Sequence, residues 1–449
     1  MEDLSSYFLK SQRKIVNRVI LAFAIAIMAG AFVLMLPPMT VNGITIIDAF
    51  FTSASAICVT GLVVQDTATF FTVYGKAVIL ILIQIGGLGV MTITSIFALM
   101  LGRKINLGDR FYLNTSFGSN KIFSPSRFFL IIASTTIIIE LIGTGILTLL
   151  FHFRYAYPLK NAFIHGLFHS VSSFNNAGFS IYSNNFVSFA EDFILNITVM
   201  LLIIIGGIGF SVLSEILALK KTRRLSLHAK IVFSTTGILI FLGAVSFFLL
   251  EFKNPGTIGT LGTGAKILSS FFQSVTPRTA GFNTVNMSAL NETTLVMLVI
   301  LMFIGASPGG TGGGIKTTTF ASITLSGFAA IKGRTSITIF KKRIPGGTIY
   351  RTLTLTLTAI ILILAASVSI MIIERESFSF IKVFFEAVSA FGTVGLSTGM
   401  TPLLATPSKV ILILLMFIGR VGIALLALTI ASRVKPEKIE RPEESISIG

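Results

Sequence analysis

Five stretches of this chain, 19–37, 128–151, 232–250, 353–373 and 410–432, are apolar over about twenty residues and carry at most one charge each. A helix of about 20 residues crosses the roughly 30 Å hydrocarbon core of a bilayer, and few other folds can use such runs. With 53% hydrophobic and only 12% charged residues among 449, the chain could not easily furnish a water-facing surface of its size. The sequence therefore predicts an all-α, polytopic integral membrane protein.

A formal charge of +17 could point to nucleic acid, but the basic residues sit in blocks between apolar runs. Lys10, Arg13, Lys14 and Arg18 open the chain. Arg103, Lys104, Arg110, Lys121 and Arg127 form the next block, and Lys220, Lys221, Arg223, Arg224 and Lys230 the third. Lys332, Arg334, Lys341, Lys342, Arg343 and Arg351 form the fourth, and Arg433, Lys435, Lys438 and Arg441 close the chain. The positive-inside rule assigns these blocks to the cytoplasm, and with them both termini. Acidic residues such as Asp48, Asp66, Glu191, Asp192, Glu251, Glu292, Glu374 and Glu376 fall in the alternate connections, which suits an outer face that tolerates cations. The single cysteine, Cys58, excludes an internal disulfide. No cleavable signal is expected, because the first apolar run ends at Pro37 and Pro38 without a small-residue cleavage pattern.

Between basic blocks one order recurs: a long apolar helix, a short aromatic-rich segment ending in a small-residue turn, and a second apolar helix. The turns read SASAICVTGLV, SVSSFNNAGFS, QSVTPRTAGFN and AVSAFGTVGLS, with glycines at Gly61, Gly178, Gly281 and Gly395, 117, 103 and 114 residues apart. A second glycine signature follows each after 25, 28, 24 and 24 residues, in QIGGLG, IIGGIG, FIGASPGG and FIGRVG. Agreement in two motifs argues for a real internal repeat. The expected divisions are 1–18 as a cytoplasmic N-terminus, repeats at 19–101, 128–219, 229–331 and 350–432, and 433–449 as a cytoplasmic C-terminus, giving eight transmembrane helices in pseudo-fourfold arrangement.

The segments before the turns, about a dozen residues, are too short to span a bilayer. They read as half-helices dipping in from outside, and non-helical backbone at that depth is tolerated only where protein buries it or water reaches it. Four such turns imply a shared axis. The negative ends of the half-helix dipoles would favour a cation there, and exposed backbone carbonyls could replace its water shell. Glycine can aim carbonyls to one side without crowding the lining. The expected ion-binding residues are Val59, Thr60 and Gly61; Asn176, Ala177 and Gly178; Thr279, Ala280 and Gly281; and Thr393, Val394 and Gly395.

The run IGASPGGTGGGIKTTT superficially resembles a phosphate-binding loop. Such a loop needs glycine immediately before its lysine and a strand leading in, whereas here Ile315 separates Gly314 from Lys316 and the lead-in is apolar and helical. Glycine disfavours helix by about 1 kcal/mol per residue, so the run should open into a loop. Residues 305–316 therefore form an expected gate below the turns: Gly305, Ala306, Ser307, Pro308, Gly309 and Gly310, then Thr311, Gly312, Gly313, Gly314 and Lys316. Lys316 is costly in lipid and should face a polar interior. Arg420, aligned with the fourth glycine signature, is expected to contact this loop and hold it closed.

These motifs together, CVTGL, NNAGF, TPRTAGF, GTVGL, IQIGGLG and FIGRVG with the glycine-rich break, resemble the Trk/Ktr/HKT superfamily of cation transporters over nearly the whole chain, and most closely its bacterial Ktr-type potassium-uptake membrane subunits. The resemblance implies four helix, pore-loop, helix repeats around one ion pathway with an intramembrane gating loop in the third. It also implies a bacterial plasma membrane location, a homodimer, and a cytosolic RCK-type nucleotide-binding ring as regulator. Glycine at every filter position goes with potassium preference in that family, and serine in the first repeat marks some sodium-selective plant members; this chain has Gly61. Potassium is then the transported ion, with sodium a candidate activator and no covalent cofactor.

A coupled secondary cation transporter stays open as the alternative, although inverted halves, its usual hallmark, are replaced here by four parallel repeats. No clustered acid, base or nucleophile suggests an enzyme. His165 and His169 lie on one helical face, but without a third ligand they read as packing residues, with no metal site expected beyond the ion path. Arg278 and Glu386 are expected to brace the turns from behind, and Glu140, within an apolar helix, to find a polar partner.

Overall fold

In the computed structural model, which describes residues 2–100, 125–219, 223–334, 337–375 and 377–422, helices dominate and the only strands among these residues form one small hairpin. The end of the expected first repeat at 101, the basic residues at 103–121, Lys220, Lys221, and everything from 423 onward, including the expected 433–449 terminus, lie outside the described residues.

The segment expected as the first repeat contains α1 (Glu2–Leu34), α2 (Ile46–Ile57) and α3 (Val73–Met100). The second contains α4 (Pro125–Phe153), α5 (Leu159–Phe174), α6 (Phe193–Gly207) and α7 (Phe210–Leu217). The third has α8 (Leu227–Glu251), α9 (Thr263–Val275), α10 (Glu292–Phe303) and α11 (Thr317–Ile331). Strands β1 (Ile337–Ile339) and β2 (Lys342–Ile344) then pair antiparallel, with Thr338 opposite Arg343. The fourth repeat follows as α12 (Gly346–Ile373), α13 (Phe380–Gly392) and α14 (Thr406–Val421).

Helix α1 shows how the chain meets its solvent. Val19, Phe23, Ile27, Ala31 and Leu34 recur at helical spacing and are buried, while Leu21, Ile25, Met28 and Phe32 on the other face are exposed. An outward face that is also apolar is stable against lipid, not water. Among the described residues, four helices are long and apolar enough to cross a membrane, and the pair α6 and α7, bent by 102°, makes a fifth. The expected eight spans are not reached by unbroken helices. The sequence suggested opening only in the third repeat, yet the second helix is also broken in the first two, at Gly89 (φ 83°) and Gly209 (φ 95°), besides the loop between α10 and α11, and α14 ends at Gly422 (φ 91°), the last described residue. Each break follows the second glycine signature, whose conformational permissiveness stops the helix there.

A recurrent lock seats each half-helix. In the first three repeats a serine of the half-helix donates to a carbonyl of the preceding long helix: Ser53 to Ile27 (2.7 Å), Ser170 to Glu140 (2.7 Å) and Ser274 to Ile240 (2.6 Å). A glycine three residues after each of these carbonyls, at 30, 143 and 243, leaves room for the serine, and a Cβ there would overlap its hydroxyl. Small residues thus let the helices approach closely.

At one end of the bundle the repeats are tied in a closed cycle. Ser183 donates to Asp66 (2.6 Å), Phe186 N–H to Asn283 O (3.0 Å), Ser288 to Thr398 O (3.0 Å), and Lys409 pairs with Asp48 (2.9 Å). The last joins repeat 4 to repeat 1, where no peptide chain makes the connection. Its side chains are only 11% and 8% exposed, so Lys409→Ala, which leaves the Asp48 carboxylate only the Gln65 amide (3.3 Å), is expected to destabilise by about 3 kcal/mol, seen as a lower melting temperature in detergent. The Asp48→Asn, Lys409→Met pair should recover most of the loss; equal melting of wild type and Lys409→Ala would contradict this.

Candidate ion-coordination site

Each half-helix ends in a turn with the same backbone rhythm. Val59, Asn176, Thr279 and Thr393 have positive φ (53°, 57°, 78° and 50°), and so do the glycines two residues later, Gly61 (90°), Gly178 (68°), Gly281 (77°) and Gly395 (92°). The residues between, Thr60, Ala177, Ala280 and Val394, do not. Alternating the sign of φ swings successive carbonyls toward one side of the chain, an arrangement costly for most L-residues and natural for glycine.

The four turns meet in a ring. A Cβ placed on Gly61 would lie 2.9 Å from the Cα of Gly178, one on Gly178 3.0 Å from Gly281, one on Gly281 3.1 Å from Gly395, and one on Gly395 3.0 Å from Gly61. Every such Cβ would also strike the carbonyl oxygen just before the next glycine: Ala177, Ala280, Val394 and Thr60 in turn. The order around the ring is therefore 1, 2, 3, 4, with repeats 2 and 4 opposite one another.

The donors of the turns are directed backward. The N–H groups of Thr60, Ala177, Ala280 and Val394 reach carbonyls of Ser55, Ser172, Thr276 and Ser389 at 2.8–2.9 Å. Ser55 and Ser389 accept the N–H of Gly61 (3.0 Å) and Gly395 (3.1 Å), while Ser172 and Thr276 donate to Phe179 O (2.8 Å) and Phe282 O (2.6 Å). Spending N–H groups behind the turn leaves carbonyl oxygens as its free polar face. Asn176, with its amide nitrogen toward Ser173 O (3.0 Å) and Ile203 O (3.1 Å), accepts the Thr279 hydroxyl at 3.1 Å and links turns 2 and 3.

Behind the ring, the buried Glu386 accepts from Ser397 (2.6 Å), Thr398 N–H (2.9 Å) and Thr401 (2.8 Å), all in the chain leaving turn 4. Arg278, also buried, donates to Thr236 of α8 (3.2 Å), so it ties its turn to the first long helix of its own repeat. Glu140 accepts from Asn175 (2.8 Å), whose amide also reaches Gln84 of α3 (3.0 Å). Nothing in the sequence marks Asn175 beyond its position just before Asn176. His165 and His169 lie in an aromatic nest with Phe151, Tyr182 and Phe186, His169 stacking on Tyr182 at 4.9 Å. Among the described residues no group of three metal-ligating side chains occurs.

The glycine-rich segment is non-helical and packed directly beneath the ring. Ser307 and Thr311 donate backbone N–H groups to Gly207 O (2.9 Å) and Gly206 O (3.1 Å), at the break of the second repeat, and Gly309 O accepts from Phe210 N–H (3.0 Å). Gly313 N–H donates to the Thr393 hydroxyl of turn 4 at 2.9 Å, and the Thr311 hydroxyl to Phe174 O, at the end of half-helix α5, at 3.3 Å. Lys316 folds back to donate to Gly312 O at 2.6 Å. The Arg420 guanidinium donates to Thr311 O and to Gly86 O, spanning from the loop to the first repeat. Irregular backbone buried in this way satisfies its polar groups without lipid contact.

Apolar helices facing outward around a buried ring of turns define a multi-pass helical membrane protein. The chain belongs to the TrkH family of cation transport proteins, whose family model matches residues 7–441. It is 38% identical to the Ktr system potassium uptake protein B of Bacillus subtilis, over 96% of this chain and 95% of the relative. It is also 34% identical to the potassium/sodium uptake protein NtpJ of Enterococcus hirae, over 95% of each. Among solved structures, its fold is similar to the potassium transporter TrkH from Vibrio parahaemolyticus, with a TM-score of 0.72, 20% identity, and coverage of 93% of this chain and 84% of the other.

Proposed function

We propose that this protein takes up potassium across the plasma membrane through the ring of four turns, which acts as a selectivity filter, and that the 305–316 loop gates the passage from below. The observation that carries this reading is the closed ring itself, in which each turn glycine faces the carbonyl of the neighbouring repeat. Backbone oxygens so gathered can substitute for the hydration shell of a monovalent cation. The loop, with Lys316 and Arg420 beneath the ring, adds both a steric plug and a positive barrier to a cation leaving inward.

The names of the relatives support potassium as the ion, an association with sodium, and a multicomponent system; in this reading sodium acts as an activator. In this reading the chain is the membrane subunit, a homodimer with both termini in the cytoplasm, regulated by a nucleotide-binding ring docked on the basic inner blocks. In a bacterium lacking potassium uptake, the chain is expected to restore growth at limiting potassium, and Gly281→Ser, at equal protein amount, to abolish it. Rescue unaffected by Gly281→Ser would overturn the reading. Adding sodium is expected to raise the initial uptake rate.

A further inference from the structure

The fourfold ring contains a twofold device. Counted from the turn glycine, the residue nine positions earlier is Thr52, His169, Phe272 or Glu386, and the residue two positions later is Val63, Ser180, Asn283 or Ser397. In repeats 2 and 4 these two positions are bonded; in repeats 1 and 3 the pairs Thr52 with Val63 and Phe272 with Asn283 make no hydrogen bond.

In repeat 2, His169 Nδ1 lies 2.8 Å from the carbonyl of His165, an acceptor only, so this nitrogen carries the proton. Nε2 then accepts from the Ser180 hydroxyl at 3.0 Å, and the same serine oxygen accepts the Tyr182 N–H at 3.0 Å. Repeat 4 reproduces the chain of bonds with a carboxylate. Glu386 accepts the Ser397 hydroxyl at 2.6 Å, and the Ser397 oxygen accepts the Gly399 N–H at 2.9 Å. Both inner residues are fully enclosed, His169 at 0% and Glu386 at 1% exposure. Two chemically different side chains thus hold one geometry: a serine just past the glycine, fixed from behind by the half-helix and ahead by the backbone two residues on. Because the ring order is 1, 2, 3, 4, the two braced turns face each other across the axis.

We propose that His169 and Glu386 are positioning residues that lock turns 2 and 4, making the passage rigid along one diagonal, and that this rigidity sets its preference for potassium over the smaller sodium ion. This deepens the reading of the ring as a filter and rests on it. A cage that cannot contract holds its oxygens too far apart to replace the hydration of a smaller ion, whereas a turn without this strut can close in.

The test is potassium and sodium uptake by the whole protein in proteoliposomes, comparing Ser180→Ala, Ser397→Ala and the double variant with Ser180→Thr and Ser397→Thr, which keep the hydroxyl. Each alanine variant is expected to lower the potassium to sodium preference by about tenfold, the order expected for one lost hydrogen bond to a buried acceptor, mainly by admitting sodium. The double variant should fall further and the threonine variants recover. Val63→Ala, at the same register in repeat 1, is expected to leave the preference intact. Unchanged preference in both alanine variants, or an equal loss in Val63→Ala, overturns the proposal. If the alanine variants do not accumulate, Glu386→Gln replaces them: it keeps the shape and turns one of the two accepting oxygens into an amide donor, the same loss is expected, and unchanged preference again overturns it. Gly281→Ser in the same vesicles separates the outcomes, because its selective uptake should vanish whenever the ring is the filter, whether or not the struts matter.

Discussion

Gly395→Ala is expected to reduce potassium uptake by about a hundredfold or more, with the protein still inserted in the membrane. At φ 92° an L-residue is strained by roughly 1–2 kcal/mol, and the added methyl would also collide with the Thr60 carbonyl oxygen and lie 3.0 Å from the Cα of Gly61. Backbone cannot yield as a flexible side chain could, so the oxygen next to the axis must move. Because each tenfold in rate is about 1.4 kcal/mol, strain and displacement together reach two decades. Radioactive rubidium or potassium influx, normalised to protein amount, measures it. Uptake within threefold of wild type would mean that the ring tolerates an enlarged turn and is not the narrowest point.

Arg420→Met is expected to act in the opposite direction, raising inward flux by about tenfold or more. The guanidinium donates to Thr311 O in the loop and to Gly86 O in the first repeat, so its loss removes a tie worth on the order of 1.5–3 kcal/mol per charged hydrogen bond. It also removes one of the two cations beneath the ring, and the other, Lys316, keeps only its bonds to Gly312 and Gly313 within the loop. Loosening the plug and lowering the barrier have the same sign. Flux below wild type at normal protein amount would show that Arg420 supports the open passage instead of the closed loop.

Much of this architecture was legible because glycine spacing is a direct trace of backbone demand. The four turn glycines and the residues beside them could be named from the repeat, and the structure brings the glycines and the residue before each together in one ring. The run from Gly305 to Lys316 was readable as a loop, since glycine and Pro308 remove helix propensity wherever they fall. The breaks at Gly89 and Gly209 and the helix end at Gly422 were harder to foresee, because one glycine among strong apolar helix formers is ordinary in a membrane helix. What decides there is tertiary: Gly86, Gly206 and Gly419 each pack against the last carbonyls of a half-helix, at Ile57, Phe174 and Phe391. The serine locks and the Asn175 link to Glu140 and Gln84 were equally hidden, since a hydroxyl or amide gains its partner only when distant segments meet. His169 read as a packing residue, and its rings do pack; its bond to Ser180 becomes visible only when its register is set beside that of Glu386.

The meeting of Gly395 with Thr60, reinforced by Lys409 and Asp48, has a consequence for biogenesis. Three quarters of the circle can assemble behind the ribosome in order of synthesis, but the opening segment must wait for the last one before its carbonyls are enclosed. Until then α2 and its turn present an unsealed polar flank to the bilayer, so a nascent chain stalled before residue 395 should be an early client of quality-control proteases.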